Sequence, residues 1–383
     1  MGRWLALLIT AGCRLGFDNV DPATFHGDDG HQGGIPQLSC GPQRFVVGAS
    51  LSGLAASPTS DGFAVATVAS GGGTLKGWSF ALDGSGALTA KTQDITLGAN
   101  GNGTVGVANA GNTVLVAASS STGTTLYSLS TTDLSPLASP SVRTDFAGPV
   151  PLASVGGTFA YISQLADTSI ELRQVDASAN DVGSPLALTS MPDGAYSPTI
   201  VAGPNGYAVA YGGAHINGGA AIALYDTALT PLIAPQEIEP NPSYFAEQPV
   251  VSYAAVSNTY LVSWHIKDAT NDDDIYARLL GPDFTPIGNP FEVAPFSTTA
   301  SIATDGTSFF LSYVTYDPAM VVPDHLAASQ ISNTGVVTPI AITGDGGTPV
   351  RWTFVQRNGQ AVLVWQESGG NGPDLYFDPM CGG

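Results

Sequence analysis

Apolar residues occur along this chain in short runs, and the segments between the runs are rich in Gly, Asp, Asn and Pro. No long stretch shows the 3.6-residue apolar period of an amphipathic helix, so the runs predict short β-strands. One run aligns seven times, as FAVAT, VLVAA, FAYIS, YAVAY, YLVSW, FFLSY and AVLVW. The copies end at Thr67, Ala118, Ser163, Tyr211, Trp264, Tyr313 and Trp365, at intervals of 51, 45, 48, 53, 49 and 52 residues. A regular period of this length is typical of a repeat protein.

Each copy of this run is flanked by further strand-like segments. A run of small apolar residues comes before it, as in GLAAS, PTIVA and PVVSY, and a third run follows it, as in GWSFAL, IALYD and IYARLL. Most units add a fourth run, such as TQDITL or NPFEVA. Seven units of four strands predict an all-β chain folded as a single seven-bladed β-propeller, with the small residues of each first strand beside the central channel.

The two ends of the chain predict how the ring closes. The seventh unit ends after its third strand, at residues 375–378, and an unassigned apolar segment, residues 44–48, precedes the first unit. Pairing these segments completes the seventh blade from both ends of the chain. Cys40 and Cys381 lie beside them, and two such cysteines in an exported protein are expected to be oxidised. We therefore expect a Cys40–Cys381 disulfide, and the alternative is two unpaired thiols.

The N-terminal segment predicts export. A positive charge at Arg3 is followed by an apolar run from Trp4 to Ala11. The run is too short to span a bilayer, which takes about 20 helical residues, but it suits the apolar core of a secretory signal. Thr10-Ala11-Gly12-Cys13 resembles the bacterial lipobox, in which small residues precede a cysteine that is acylated and becomes the mature N-terminus, although Thr10 stands where that family usually has Leu.

The resemblance to bacterial lipoproteins implies that Cys13 carries palmitate-type acyl chains and that residues 1–12 are a cleaved signal peptide. Arg14 follows the cysteine, and in lipoproteins the absence of Asp at that place favours the outer membrane. Residues 13–39 have no apolar period and predict a flexible tether, with the propeller spanning 40–383. A plain secretory signal, or an apolar start with an ordinary cysteine, remains the alternative.

Units five and six carry a second resemblance. The segments PVVSYAAVSNTYLVSW, DDIYARLL and ASIATDGTSFFLSY resemble a repeat of secreted Gram-negative bacterial proteins that reads P-x-V-A-x-D-G-x-x-Y-L-V-V-W, then I-Y-A-x-x-L. The resemblance covers about residues 41–378 and is weakest in units two and three. Since most members of this group are uncharacterised, it implies a propeller and export rather than any activity.

Composition narrows the function classes. The chain has 31 acidic and 11 basic residues, a net charge of −20, which repels phosphate and argues against a nucleic-acid partner. Hydrophobic residues make up 43% of the chain, too many for a disordered protein. No P-loop, H-E-x-x-H, EF-hand loop or G-x-S-x-G motif occurs. Residues 101–106 fit G-x-G-x-x-G but have strand patterns on both sides, whereas a dinucleotide site needs a helix after the glycines.

One group of polar residues remains a candidate site. In a propeller the loops between second and third strands share a face with the links between blades. Histidines and carboxylates collect in those loops in units four to seven: His215; His265, Asp268, Asp272, Asp273 and Asp274; Asp317, Asp324 and His325; Glu367 and Asp374. We expect this face to be electronegative on one side.

Three interpretations of this group stay open. Asp268, Asp272, Asp273 and Asp274 offer the flexible oxygen ligands that Ca²⁺ prefers. Carboxylates with histidines also suit acid/base or metal-assisted chemistry. The third interpretation is that Asp-rich turns are favourable local structure, because Asx side chains cap turns.

No complete catalytic set occurs in the sequence, so the leading hypothesis is non-enzymatic. It is a lipid-anchored module of the bacterial cell envelope, facing the periplasm or the cell surface, that binds a protein or glycan partner through one propeller face. The alternative is a hydrolase or lyase of extracellular polysaccharide that uses carboxylates on that face. A structural part of an envelope assembly is a third possibility. No cofactor is expected, apart from a structural Ca²⁺.

Overall fold

The computed structural model describes residues 43–46, 51–70, 73–82, 88–99, 104–120, 123–144, 148, 150–165, 169–188, 196–212, 220–238, 245–267, 273–316, 325–340, 342, 348–357, 360–368 and 374–379. Across these residues the secondary structure consists of 28 strands. The described part of the chain contains no helix with the length and apolarity needed to cross a bilayer.

The strands form seven separate four-stranded antiparallel sheets, the blades. Blade 1 consists of β2 (Leu51–Pro58), β3 (Gly62–Ala69), β4 (Thr74–Leu82) and β5 (Leu88–Ala99). Blade 2 consists of β6 (Thr104–Ala110), β7 (Thr113–Ser120), β8 (Gly123–Ser130) and β9 (Ser141–Arg143). Blade 3 consists of β10 (Leu152–Val155), β11 (Thr158–Gln164), β12 (Ile170–Val175) and β13 (Leu186–Ala187). Blade 4 consists of β14 (Tyr196–Gly203), β15 (Gly206–Gly212), β16 (Ala220–Tyr225) and β17 (Pro231–Glu237). Blade 5 consists of β18 (Phe245–Ala254), β19 (Thr259–Lys267), β20 (Asp273–Leu280) and β21 (Pro286–Ala294). Blade 6 consists of β22 (Ser297–Thr304), β23 (Phe309–Thr315), β24 (His325–Ile331) and β25 (Val337–Ile340). Blade 7 is β26 (Thr348–Arg357), β27 (Gln360–Ser368), β28 (Asp374–Pro379) and β1 (Gln43–Val46).

The blades stand in a closed ring. The first strands of successive blades contact one another around the whole circle, and β26 of blade 7 contacts β2 of blade 1. The seven-bladed all-β propeller predicted from the repeat is therefore confirmed, and the seven aligned runs are the second strands of the blades, β3, β7, β11, β15, β19, β23 and β27.

Alternating strand direction gives the ring two distinct faces. We call one the turn face: it carries the turns between first and second strands and between third and fourth strands. We call the other the loop face: it carries the connections between second and third strands and the links from blade to blade. Because β1 is antiparallel to β28, it begins at Gln43 on the turn face, where β28 also ends.

The predicted closure by both ends of the chain is confirmed. β1 pairs with β28 over four residues, from Gln43 opposite Phe377 to Val46 opposite Asp374. A hydrogen bond also links blade 7 to blade 1, because the backbone N–H of Leu51 donates to side-chain Oε1 of Gln366 at 2.7 Å. Cys13, Cys40 and Cys381 lie outside the described residues.

The core lies between the blades rather than in one centre. Along β19, Val262, Trp264 and Ile266 pack against blade 4, whereas Leu261 packs against blade 6. This is the two-residue period of a strand that is covered on both sides. It explains why the second strands read as almost continuous apolar runs.

A strained turn fills the outer part of four blade interfaces. The turns after the third strands place a non-glycine residue at positive φ, namely Leu134 (57°), Ala179 (63°), Leu229 (62°) and Phe284 (61°). All four side chains are buried between their own blade and the preceding one. Left-handed geometry costs an L-residue about 1–2 kcal/mol, and burial of the side chain offsets that cost. Blade 6 has Gly335 at this place, with φ of 83°.

Candidate functional site

The structure places the predicted polar residues at strand ends rather than in free loops. His265 lies in β19, Asp273 and Asp274 begin β20, His325 begins β24, Glu367 lies in β27 and Asp374 begins β28. Their assignment to loops was wrong because the strands extend further towards the loop face than the apolar pattern indicates. His215, Asp268, Asp272, Asp317 and Asp324 lie outside the described residues.

His265 is buried and forms a hydrogen-bonded pair with Asp273, which is partly buried. Nε2 of His265 lies 2.8 Å from Oδ1 of Asp273, and the histidine is only 6% exposed. Because a carboxylate only accepts hydrogen bonds, this contact places the imidazole proton on Nε2. Nδ1 is also buried and has no hydrogen-bond partner among the described residues. The strand register sets Glu247 of β18 opposite His265.

The start of β20 is fixed to the neighbouring blade. The N–H of Asp273 donates to Oη of Tyr316 at 2.9 Å, and the N–H of Tyr316 donates to the carbonyl of Phe296 at 2.9 Å. The rings of Phe296 and Tyr316 meet edge to face, with centroids 6.2 Å apart. The N–H of Phe296 donates in turn to Oδ1 of Asp274 at 3.1 Å. These contacts hold blades 5 and 6 together at the loop face.

A second carboxylate lies near Asp274. Partial burial, and then the charge of Asp274, raise the pKa of Glu292 above its ordinary value. Glu292 belongs to β21, the outermost strand of blade 5, so this acidic pair lies on the outer side of the blade, away from the channel.

In blades 6 and 7, His325 and Glu367 form hydrogen bonds with residues of their own blade. Nε2 of His325 lies 2.7 Å from Oγ1 of Thr315, its partner on the adjacent strand. Glu367 is buried, and its Oε1 accepts a hydrogen bond of 2.9 Å from Nε1 of Trp365.

The described residues provide no complete set of ligands for a metal ion. No group of three or more His, Cys, Asp or Glu among them is arranged to hold an ion. A calcium site built from Asp273 and Asp274 would need Asp268 and Asp272, which lie outside that set, and the calcium hypothesis stays a prediction.

Two features of the loop face were missed at the sequence level. Tyr316 is not among the predicted site residues, although its phenol oxygen accepts a hydrogen bond from the N–H of Asp273. Bulges near the loop-face ends of five first strands were also unforeseen: they lie between Leu51 and Gly53, Tyr196 and Thr199, Glu247 and Val250, Thr298 and Ala300, and Pro349 and Arg351. A bulge redirects side chains and is common beside binding sites. The recurrence of Pro or Ser near these places was the available signal.

Comparison with known proteins supports the fold alone. No family model and no curated protein matches the sequence. Among solved structures, a chain of the mitotic checkpoint complex is similar over 88% of this chain and 92% of its own length, with 13% identity and a TM-score of 0.54. The sialidase of Trypanosoma rangeli with the inhibitor DANA covers 89% of this chain and 60% of its own length, at 10% identity and a TM-score of 0.46. An alpha-L-arabinofuranosidase from Lactobacillus brevis covers 60% and 89%, at 15% identity and a TM-score of 0.36.

Proposed function

We propose that this protein is a non-enzymatic binding module of the bacterial cell envelope, anchored by lipid on Cys13, that holds a protein or glycan partner on its loop face. One observation carries the proposal. The side chains of the candidates His265, Asp273, Asp274, His325 and Glu367 are each hydrogen-bonded to a neighbour, and the second ring nitrogen of His265 is buried. A catalytic base must reach the proton that it removes. Engaged, rigid polar groups suit recognition instead.

The position of the N-terminus supports the orientation of such a module. The chain enters β1 from the turn face. A tether of residues 13–39 spans up to about 90 Å when fully extended, at about 3.4 Å per residue. A lipid on Cys13 would therefore attach on the turn-face side, and the tether is long enough to leave the loop face accessible to a partner.

The anchor is tested by intact mass of the protein purified from bacterial membranes. We expect cleavage before Cys13 and added acyl chains. An unacylated chain that begins elsewhere would overturn the anchored part of the proposal, and the binding part would then be tested on secreted protein.

Binding is tested by cross-linking in intact cells, comparing the wild type with Tyr316→Ala and His325→Ala. We expect a constant partner, a protein or a glycan, whose capture falls in both variants. Asn333→Ala, on an exposed turn of the turn face in blade 6, is the matched control and should capture the partner normally. Equal capture by all forms would contradict recognition through the loop face.

One observation favours the alternative, a hydrolase or lyase of polysaccharide. The Asp274–Glu292 pair has one carboxyl with a raised pKa beside a second one, and glycoside chemistry uses such divided roles. Release of reducing ends from envelope polysaccharides, abolished by Glu292→Gln, would establish this alternative. No release by wild-type protein would dismiss it.

A further inference from the structure

Exposed aliphatic side chains are concentrated on the turn face. Seven large hydrophobic residues of the described chain are exposed, by 41% to 77%. Six of them lie on turns, or at the first residues of outer strands, on this face: Leu137, Val182, Leu232, Val256, Ile287 and Val336. Only Val142, within β9, lies elsewhere. Single exposed aliphatic residues are ordinary on a protein surface, whereas apolar patches bordered by polar residues mark interaction surfaces.

Four of these residues occupy one structural position. Leu137, Val182, Leu232 and Ile287 each follow the left-handed turn residue by three positions, in blades 2 to 5. The left-handed residue itself is buried, and this burial explains why it is apolar. The exposed residue three positions later is not needed for the core, and polar side chains would serve the fold there. Its aliphatic character in four consecutive blades therefore needs another explanation.

Carboxylates that pair with no cation among the described residues lie on the turns of the same face. Asp133, Asp176, Asp226, Asp283 and Asp305 accept hydrogen bonds only from N–H, hydroxyl or amide groups of their own turns, within the described residues. Hydrogen bonds from Thr230 and Thr285 hold the pKa values of Asp226 and Asp283 below the ordinary range. Two other carboxylates of the face are neutralised, Asp61 by Lys91 and Asp181 by Arg143. The face therefore combines apolar side chains with fixed negative charge.

This combination selects the class of partner. Negative charge repels nucleic acid and anionic lipid, and it repels a second copy of a chain whose net charge is −20. A lipid interface is usually met by Trp, Tyr, Lys or Arg, whereas none of the exposed large hydrophobic residues is aromatic. Fixed carboxylates between aliphatic side chains complement a polypeptide surface that carries lysine or arginine beside apolar side chains.

We propose that the turn face of blades 2 to 5 is a second docking surface, which binds a cationic, apolar-bearing segment of a partner protein. This surface is opposite the loop face and acts independently of it. The protein would then join two partners through its two faces.

The probe is a fluorescently labelled synthetic peptide of alternating lysine and leucine, measured by anisotropy. We expect binding that weakens with salt. Leu232→Ser with Ile287→Ser should weaken it about tenfold, since both positions would lose the burial of an apolar side chain against the leucines of the peptide. Val142→Ser, an exposed aliphatic residue away from the face, should bind like the wild type. Asp226→Asn with Asp283→Asn should reduce the salt dependence.

Three outcomes would overturn the proposal. A lysine–serine peptide that binds equally well would reduce the effect to net charge. Equal weakening by Val142→Ser would remove the assignment to the turn face. Binding of the wild type to phosphatidylcholine vesicles, lost in the Leu232→Ser and Ile287→Ser variant, would show a lipid surface instead. A photo-reactive form of the lysine–leucine peptide, used on wild-type protein, must label the turn face, so the test holds even if a variant fails to fold.

Discussion

Gly203 of blade 4 lies directly against the phenol oxygen of Tyr260 in blade 5. A Cβ built on Gly203 would overlap that oxygen and would lie 2.9 Å from Cζ of Tyr260. The ring of Tyr260 is fully buried, and its hydroxyl has no hydrogen-bond partner among the described residues. The glycine is therefore required by the tyrosine of the next blade.

Gly203→Ala should lower the free energy of unfolding by about 1–3 kcal/mol, because the added methyl group overpacks the interface. Tyr260→Phe removes the clashing oxygen and gives up no hydrogen bond seen in the described residues. The double variant should therefore recover most of the loss in denaturant unfolding. Additive losses in the two variants would show that the close approach is not the cause.

Ala179→Gly should stabilise the protein or leave it unchanged. Ala179 is buried at a φ of 63°, and glycine removes a left-handed penalty of about 1 kcal/mol while giving up one methyl group. Ala160→Gly, at an equally buried position within β11, is the matched control and should destabilise by about 1 kcal/mol. Thermal unfolding compares the two. A larger loss at Ala179 than at Ala160 would contradict the assigned strain.

Stability should fall in acid as the turn carboxylates are protonated. A hydrogen bond from the backbone of Thr230 holds the pKa of Asp226 below its ordinary value of 3.8, and a backbone hydrogen bond from Thr285 does the same for Asp283. A depressed folded-state pKa gives a contribution that is present above about pH 4 and is lost as pH falls through the folded value. Thermal unfolding between about pH 5 and 2 measures it. Asp226→Asn should flatten this profile, and an unchanged slope would dismiss the role of the turn.

The proposed Cys40–Cys381 disulfide should make its two cysteines equivalent. The paired segment β1–β28 ends at Gln43 and Phe377 on the turn face, close in sequence to both. Cys40→Ser, Cys381→Ser and the double variant should all lower the melting temperature equally, with a loss of at most about 5 kcal/mol. Mass before and after reduction should differ by two hydrogens. Unequal single variants, or free thiols in the native protein, would exclude the bond.

Calcium binding by Asp268, Asp272, Asp273 and Asp274 should raise the melting temperature. A ligand at 100 times its dissociation constant stabilises by about 2.7 kcal/mol. We expect chelator-treated protein to gain stability with Ca²⁺, and Asp272→Asn with Asp274→Asn to lose that gain. An identical melting temperature with chelator and with calcium would show that no calcium ion binds at this face.

The ring could be predicted because its evidence is periodic. The aligned runs ending between Thr67 and Trp365 repeat at blade spacing, and the apolar segments 44–48 and 375–378 each lack a partner strand in their own sequence unit. The left-handed residues Leu229 and Phe284 could not be predicted, because residues of this size rarely adopt that conformation. The hydrogen-bond partner of His265 could also be identified only from the structure, because its contact with Asp273 depends on how far β19 and β20 extend.

The composite seventh blade sets the order in which this protein can fold. Among the described strands, β1 with Gln43 is made first and its partner strand β28 with Phe377 is made after all the others, so β1 stays unpaired while the rest of the ring is synthesised. Such distant pairing is slow, and an unpaired edge is exposed to aggregation until it forms. A growing chain therefore cannot close its ring before β28 has been made, and any chaperone that protects β1 must act until that strand is available.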